Sequence, residues 1–144
     1  MAKGTVVHAS KVKTLVVDKT YSSKMLIDHT NSATQNVQIN MGIVAPGAKH
    51  ADHRHERDYD EVYLIQRGRA MVRLDGVEHE LEAGDVVFIP GGSMHAIANR
   101  SDSEELVIFT VWSRLPEPGA NPVYDQRLRE WGKSYRTVDE AEEA

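Results

Sequence analysis

The residues best suited to chemistry are three histidines that lie close together in the sequence: His50, His53 and His55. Side chains two residues apart in a β-strand point to the same face, so His53 and His55 would project two imidazoles side by side. Arg54 would point the other way. Neutral imidazole binds zinc, iron, nickel and copper, and the pair therefore indicates a metal site.

Two sequence blocks extend this pattern. The first runs Gly47-x5-His53-x-His55-x5-Glu61-x6-Gly68, and the second runs Gly84-x5-Pro90-x-Gly92-x2-His95-x3-Asn99. Together they resemble the paired motifs of the cupin superfamily. The second block matches the family pattern at every spacing, whereas the first has five residues between its second histidine and the glutamate instead of three or four.

The resemblance implies a cupin-type double-stranded β-helix, which is a conical barrel of the jelly-roll kind. It also implies that His53, His55, His95 and Glu61 reach one divalent metal ion. Zinc is favoured if the reaction needs no redox change, and iron, nickel, copper or cobalt would suit the same donors. Coordination positions would remain open for water and substrate.

The identity of the fourth ligand depends on the longer first block. Glu61 keeps the family spacing to Gly68 and is the preferred ligand. His50 would complete an all-histidine site, but its position in the strand requires a bulge or turn near Gly47. Asp60 stands at the family distance from His55 but breaks the spacing downstream. The histidines at 8, 29 and 79 are expected not to be ligands.

The elements that must position these residues are short apolar runs bounded by glycine, proline and aspartate. This pattern predicts an all-β sandwich or barrel. Asp75-Gly76 suits the two-residue turn of a β-hairpin. Alternation in the run 37–44 places Gln38 and Asn40 on one face. The runs are 12–17, 25–27, 37–44, 61–65, 70–74, 85–89 and 106–112.

The last third of the sequence changes character, although residues 1–144 are expected to form a single domain. Three prolines make 113–122 an irregular connection. Residues 123–132 are expected to form a short C-terminal helix that packs on the sheet, because Tyr124, Leu128 and Trp131 form one apolar stripe. Residues 137–144 are expected to be a frayed acidic tail.

Composition excludes several classes of protein. The 144 residues carry 17 Lys and Arg against 22 Asp and Glu, and this net charge of −5 argues against a nucleic-acid partner. Cysteine is absent, which rules out disulfides and thiolate sites. No apolar run suggests a signal peptide or membrane helix, so a cytoplasmic protein without a membrane partner is expected.

The predicted cavity is mostly apolar, with no lysine or arginine clearly aimed at the metal. This favours an uncharged aromatic or polyketone-like substrate. Glu61 and Tyr63 are the candidate catalytic residues. The candidate substrate-binding residues are Gln38, Asn40, Met41, Phe88, Phe109 and Trp112.

Within the superfamily, the chain resembles small single-domain cyclases of aromatic polyketide pathways. The stretches behind this resemblance are 58–68, 90–99 and 122–132. It implies a metal-dependent enzyme that folds a poly-β-ketone into a ring by intramolecular aldol cyclisation. The alternatives are a quercetinase-like dioxygenase with a redox-active metal and a non-catalytic module that binds a small molecule. A homodimer is expected on family grounds, with 12–17 and 25–27 as its sheet edge.

Overall fold

A computed structural model of the protein describes residues 4–12, 14–16, 18–28, 31–34, 36–52, 54, 60–112 and 136–137. Apart from a short 3-10 helix over Ala9–Lys11, the regular structure in these residues is all β, as predicted. The predicted connection 113–122 and helix 123–132 lie outside the described residues, as does all but the first residue of the predicted tail. The described residues contain no helix of the length and apolarity that crossing a bilayer requires.

Two antiparallel sheets contain the described strands. The larger sheet has the order β10-β1-β2-β3-β9-β4-β7, and the smaller has the order β6-β5-β8. The strands are β1 (Leu15–Val16), β2 (Tyr21–Ile27), β3 (Gln38–Val44), β4 (Glu61–Arg67), β5 (Arg69–Leu74), β6 (Val77–Glu82), β7 (Val86–Ile89), β8 (His95–Asn99), β9 (Leu106–Trp112) and β10 (Arg136–Thr137).

The predicted hairpin is confirmed. β5 and β6 pair directly, with Leu74 opposite Val77. Asp75 and Gly76 connect them with positive φ angles of 45° and 86°. Two successive positive φ angles define the type I′ turn, whose twist matches that of the flanking strands.

The main apolar core lies between the two sheets. Its fully buried members include Val44, Ile65 and Leu106 from the larger sheet and Ala70 and Val72 from the smaller one. These residues occupy alternate positions of their strands, as expected when one face of a sheet is buried. The face that contributes to this core is called the inner face below.

The larger sheet also buries part of its opposite, outer face. Leu26, Met41 and Val107 form a second apolar cluster there, and the N-terminal segment packs on it through Val7 and Val12. Both faces of strand β3 are therefore partly covered. This explains why its sequence does not show a simple contrast between an apolar core face and a polar solvent face.

The sheet edges differ from the expectation based on the N-terminal runs. Strand β2 lies between β1 and β3, and β1 lies between β2 and β10. In the part of the chain that the structure describes, the larger sheet therefore ends at β10 and β7. The edge proposed for a homodimer is paired within the chain, and dimerisation itself stays a prediction.

Candidate metal centre

Two of the predicted ligands, Glu61 and His95, meet in the interior. Glu61 begins β4 in the larger sheet and His95 begins β8 in the smaller sheet. Their side chains are 6% and 0% exposed, and Oε2 of Glu61 lies 3.5 Å from Nε2 of His95. The fold thus brings together two residues from separate sequence blocks and separate sheets.

The imidazole of His95 is fixed in orientation by the backbone. Its Nδ1 lies 3.0 Å from the carbonyl oxygen of Ser93. A carbonyl oxygen only accepts, so Nδ1 carries the proton and donates it, which leaves the Nε2 lone pair facing Glu61 in the neutral ring. Burial opposes the charged ring, but the carboxylate of Glu61 and the carbonyl of Ser93 outweigh it and raise the pKa of His95.

The hairpin turn holds the loop that carries His95. Asp75 accepts hydrogen bonds from the Ser93 hydroxyl at 2.7 Å and from the Met94 N–H at 2.9 Å. In return, the Asp75 N–H donates to the Met94 carbonyl at 2.8 Å. These hydrogen bonds from Ser93 and Met94 lower the pKa of the Asp75 carboxyl. The two residues that precede His95 are therefore held in place by the hairpin turn.

The Glu61–His95 pair fits a divalent cation. Its 3.5 Å separation is longer than the roughly 2.7–3.2 Å of a good N–H···O hydrogen bond. Two donors about 2.1 Å from a tetrahedral cation are roughly 3.4 Å apart. A histidine whose other nitrogen donates to a backbone carbonyl is also the usual arrangement of a metal ligand.

The rest of the predicted ligand set is not tested by this geometry. His53 and His55 lie outside the described residues. Within the described ranges, no three His, Asp or Glu side chains group closely enough to hold a metal ion. The four-residue set of His53, His55, Glu61 and His95 therefore stays a prediction.

The two alternative fourth ligands have other contacts. The backbone N–H of His50 donates to the Ile97 carbonyl, and the His50 ring packs edge-on against Tyr21 with centroids 5.3 Å apart. The buried Nε2 of this ring has no hydrogen-bond partner among the described residues. Burial is the main reason that the pKa of His50 lies below its ordinary value. Asp60 accepts a hydrogen bond from the Gly91 N–H at 3.1 Å, which ties the start of β4 to the turn before β8.

Polar side chains line the inner face next to the Glu61–His95 pair. One row across strands β3, β9 and β4 consists of Gln38, Trp112 and Glu61, which lie opposite one another. Two residues along each strand, a second row consists of Asn40, Thr110 and Tyr63. All six side chains are buried.

Two further contacts involve the second row. The ring centroids of Tyr63 and His95 are 6.1 Å apart. The Ser23 hydroxyl donates to Oδ1 of Asn40 at 2.7 Å.

Three predicted substrate-binding residues lie on the outer face instead. Met41 belongs to the outer apolar cluster, and Phe109 packs against it. Phe88 is 58% exposed. Residues on alternate positions point to opposite faces, so the strands that turn Asn40 and Thr110 inward turn Met41 and Phe109 outward.

Sequence reasoning missed two inner-face residues, Ser23 and Thr110. Thr110 shares its strand parity with Trp112, which was a usable signal. Ser23 carried none, because the predicted run began only at residue 25. The buried polar residues of the described part include no lysine or arginine. Next to the Glu61–His95 pair, buried Gln38, Asn40 and Thr110 make the inner face more polar than the mostly apolar cavity that was predicted.

Comparisons with known proteins place this geometry in a family. Residues 40–112 match the family model for the cupin domain, which is half of the chain. The chain is 35% identical over 81 residues to the dimethylsulfoniopropionate lyase DddW of Ruegeria pomeroyi, covering 54% of this chain and 52% of that protein. It is 33% identical over 75 residues to the tetracenomycin polyketide synthase protein TcmJ of Streptomyces glaucescens, covering 52% and 50%.

The chain thus spans about half the length of these curated relatives. A solved structure, KdgF from a Halomonas species, superimposes with a TM-score of 0.67. It is 22% identical in sequence, and the match covers 78% of this chain and 96% of KdgF. The motif blocks, the two-sheet fold and the family match agree, and the chain belongs to the cupin family.

Proposed function

We propose that the protein is a metal-dependent polyketide cyclase that closes a ring in a poly-β-ketone by intramolecular aldol condensation. The observation that carries the proposal is the buried Glu61–His95 pair beside an inner face of uncharged polar groups. Such a wall suits a chain of ketones, which offers hydrogen-bond acceptors and no charge. Similarity to a polyketide synthase protein supports the same substrate class.

The proposed site would hold one divalent cation through His53, His55, His95 and Glu61. When bound, the cation would supply positive charge that stabilises an enolate oxygen, and zinc suffices because no electron is transferred. Iron, nickel, copper or cobalt would fit the same donors. Ser93 keeps the Nε2 lone pair of His95 directed inward, so the ring need not reorient on binding.

The chain's own residues would then control the proton and the fold of the substrate. An α-hydrogen leaves the substrate as a proton, and the Glu61 carboxylate would accept it on the oxygen that does not bind the cation. The resulting carbon nucleophile attacks a second carbonyl carbon, so that one C–C bond forms. This bond closes the ring, and the new alkoxide takes up a proton from the Tyr63 hydroxyl, which regains one from the protonated Glu61 carboxyl. Loss of the new hydroxyl group and an α-hydrogen as water then gives a conjugated C=C bond.

Apolar residues on the inner face would favour cyclisation over other reactions of the ketone chain. Ile65 and Ile108 lie below Tyr63 and Thr110 on the same inner face, and all four are buried. These apolar side chains would keep water away from a bound substrate and limit the conformations available to it. Holding the reacting carbons together can account for several orders of magnitude in rate.

The test uses purified protein whose metal content has been measured by elemental analysis. Zinc-loaded protein is incubated under argon with nonane-2,4,6,8-tetraone, and the ring products are separated and quantified. The proposal expects faster ring closure and a product ratio different from that of the spontaneous reaction. The His95→Ala variant should lose both effects, whereas Phe88→Ala on the outer face should keep them. An unchanged product ratio and rate with metal-loaded protein would refute the proposal, and a requirement for oxygen would instead favour the dioxygenase.

A second candidate is an eliminating lyase, which the 35% identity to the dimethylsulfoniopropionate lyase favours. In that reaction the same carboxylate would take a proton from the carbon next to the substrate carboxylate, and the C–S bond would break. Dimethylsulfoniopropionate itself is the probe, and released dimethyl sulfide is measured by gas chromatography. Release that depends on His95 would select this candidate over the cyclase.

A further inference from the structure

Gln38 differs from the other buried amide side chains of the inner region. The structure describes three buried carboxamides: Gln38, Asn40 and Asn99. Asn40 accepts a hydrogen bond from Ser23, and Asn99 donates to three backbone carbonyls. Gln38 is 2% exposed, yet its Nε2 has no hydrogen-bond partner among the residues that the structure describes.

Such a group is costly to the folded protein. A buried N–H donor that gives up water without gaining an acceptor loses free energy on folding. Native proteins therefore leave very few buried polar groups unpaired, and those few often have a functional explanation. A carbonyl oxygen of a bound ligand would supply the acceptor that this donor lacks.

The position of Gln38 shows where that acceptor must be. Gln38 lies opposite Trp112, and Trp112 lies opposite Glu61, so two strand spacings separate Gln38 from the Glu61–His95 pair. Adjacent strands are roughly 4.8 Å apart, which places the two backbones about 10 Å from each other. This separation leaves room for one extended substrate to place one oxygen at the Glu61–His95 pair and a second oxygen at Gln38.

We infer that Gln38 is a substrate-binding residue whose Nε2 donates to a second carbonyl oxygen of the substrate, several bonds away from the carbonyl held at the metal centre. The inference rests on the proposed cyclase function and narrows the range of substrates expected for it. The preferred substrate is an extended chain with oxygens at both positions, and a small molecule with one carbonyl group leaves Gln38 unpaired.

The test compares two ligands of equal length, heptane-2,4-dione and heptane-2,4,6-trione, which differ only in the remote carbonyl. Their binding to the zinc-loaded protein is measured by calorimetry, and the trione is recovered and quantified afterwards to establish that it was not cyclised during the titration. The wild-type protein should bind the trione about tenfold more tightly than the dione, as expected for one added hydrogen bond. Gln38→Met should remove that preference and change dione binding less than about twofold.

Two controls separate binding from structure. Gln66→Met makes the same substitution at an exposed glutamine of β4 and should keep the preference for the trione. Gln38→Met should also unfold at the same or a higher denaturant concentration and keep its zinc, because an unpaired amide is replaced by an apolar side chain of similar shape. Clear destabilisation would assign Gln38 a structural role and overturn the inference.

The outcomes distinguish this inference from the proposed function. Equal binding of dione and trione by the wild-type protein overturns the role of Gln38 while leaving the diketone site in place, and this comparison needs no variant. A preference for the trione that survives in Gln38→Met also overturns it. Failure of the zinc-loaded wild-type protein to bind either ligand refutes the proposed cyclase, and the inference falls with it.

Discussion

Replacing Asn99 with alanine should destabilise the protein by about 3 kcal/mol. Asn99 ends β8, the strand that begins at His95, and its side chain is buried. Its Nδ2 donates to the carbonyls of Val44, Ala45 and Glu104 at 3.1, 3.2 and 2.8 Å. Its Oδ1 accepts from the N–H of Ser101 at 2.9 Å. One amide therefore joins three segments of the chain.

The magnitude follows from counting protons. Nδ2 has two hydrogens for three carbonyls, so its contacts amount to about two full hydrogen bonds, and the bond from Ser101 makes about three. Each neutral hydrogen bond contributes roughly 1 kcal/mol net, which gives about 3 kcal/mol for the alanine variant. Asn99→Asp keeps the shape but turns a carboxylate toward carbonyl oxygens, and at neutral pH it should cost more than alanine.

The assay is urea unfolding of the metal-free protein, so that metal binding does not add to stability. The midpoint should fall for both Asn99 variants while the slope stays constant, which identifies a change in stability alone. Ser103→Ala, at an exposed site in the adjoining turn, is the control and should change stability by less than about 0.5 kcal/mol. A loss below about 1 kcal/mol for Asn99→Ala, or an Asp variant as stable as the wild type, would refute this reasoning.

Three further predictions concern turns, acid sensitivity and the metal. Gly68→Ala should destabilise the protein by about 1–3 kcal/mol more than Gly76→Ala in the same urea assay. Both glycines have positive φ angles, 94° at Gly68 and 86° at Gly76, but only at Gly68 would the new methyl group meet a backbone oxygen, at 2.8 Å. Equal losses of stability in the two variants would contradict this explanation. Hydrogen bonds from Ser93 and Met94 lower the pKa of Asp75 from its ordinary value of 3.8. The ionised carboxylate therefore stabilises the folded protein above about pH 4, and this stabilisation is lost as the pH falls through the lowered pKa. The stability difference between wild type and Asp75→Asn should therefore shrink below about pH 4, and a difference constant from about pH 2 to 6 would be evidence against it. Glu61→Gln should weaken zinc binding at least about tenfold in a chelator competition, with Glu82→Gln as an unaffected control, and equal affinities would remove Glu61 from the site.

The fold was largely predictable because its turns have strong local signals. Asp75-Gly76 specifies its hairpin through backbone conformation alone, and the second motif block ends at Asn99, whose buried amide joins several segments. Strand β2 was predicted too short, over 25–27 instead of Tyr21–Ile27. Its first residues, Tyr21 to Lys24, are held in the sheet by pairing with β3, which a local pattern cannot reveal.

The inner face was harder to predict than the strands. Alternation separated Gln38 and Asn40 from Ile39, but Gln38, Asn40 and Met41 were all predicted to bind substrate, and only the two polar residues lie on the inner face. An apolar side chain usually marks the buried face of a strand. Here the N-terminal segment covers the outer face, so Met41 is buried there while Gln38 is buried at the site. Long-range packing of this kind is absent from the local sequence.

The contacts of the Asp75 turn have a practical consequence for engineering. Exposed hairpin tips are normally good places to insert an epitope tag or a fluorescent reporter. In this protein, the tip bonds to Ser93 and Met94, directly before an inward-facing imidazole. A tag inserted between Asp75 and Gly76 would pull away that support, so a reporter intended to leave the centre undisturbed belongs elsewhere on the surface.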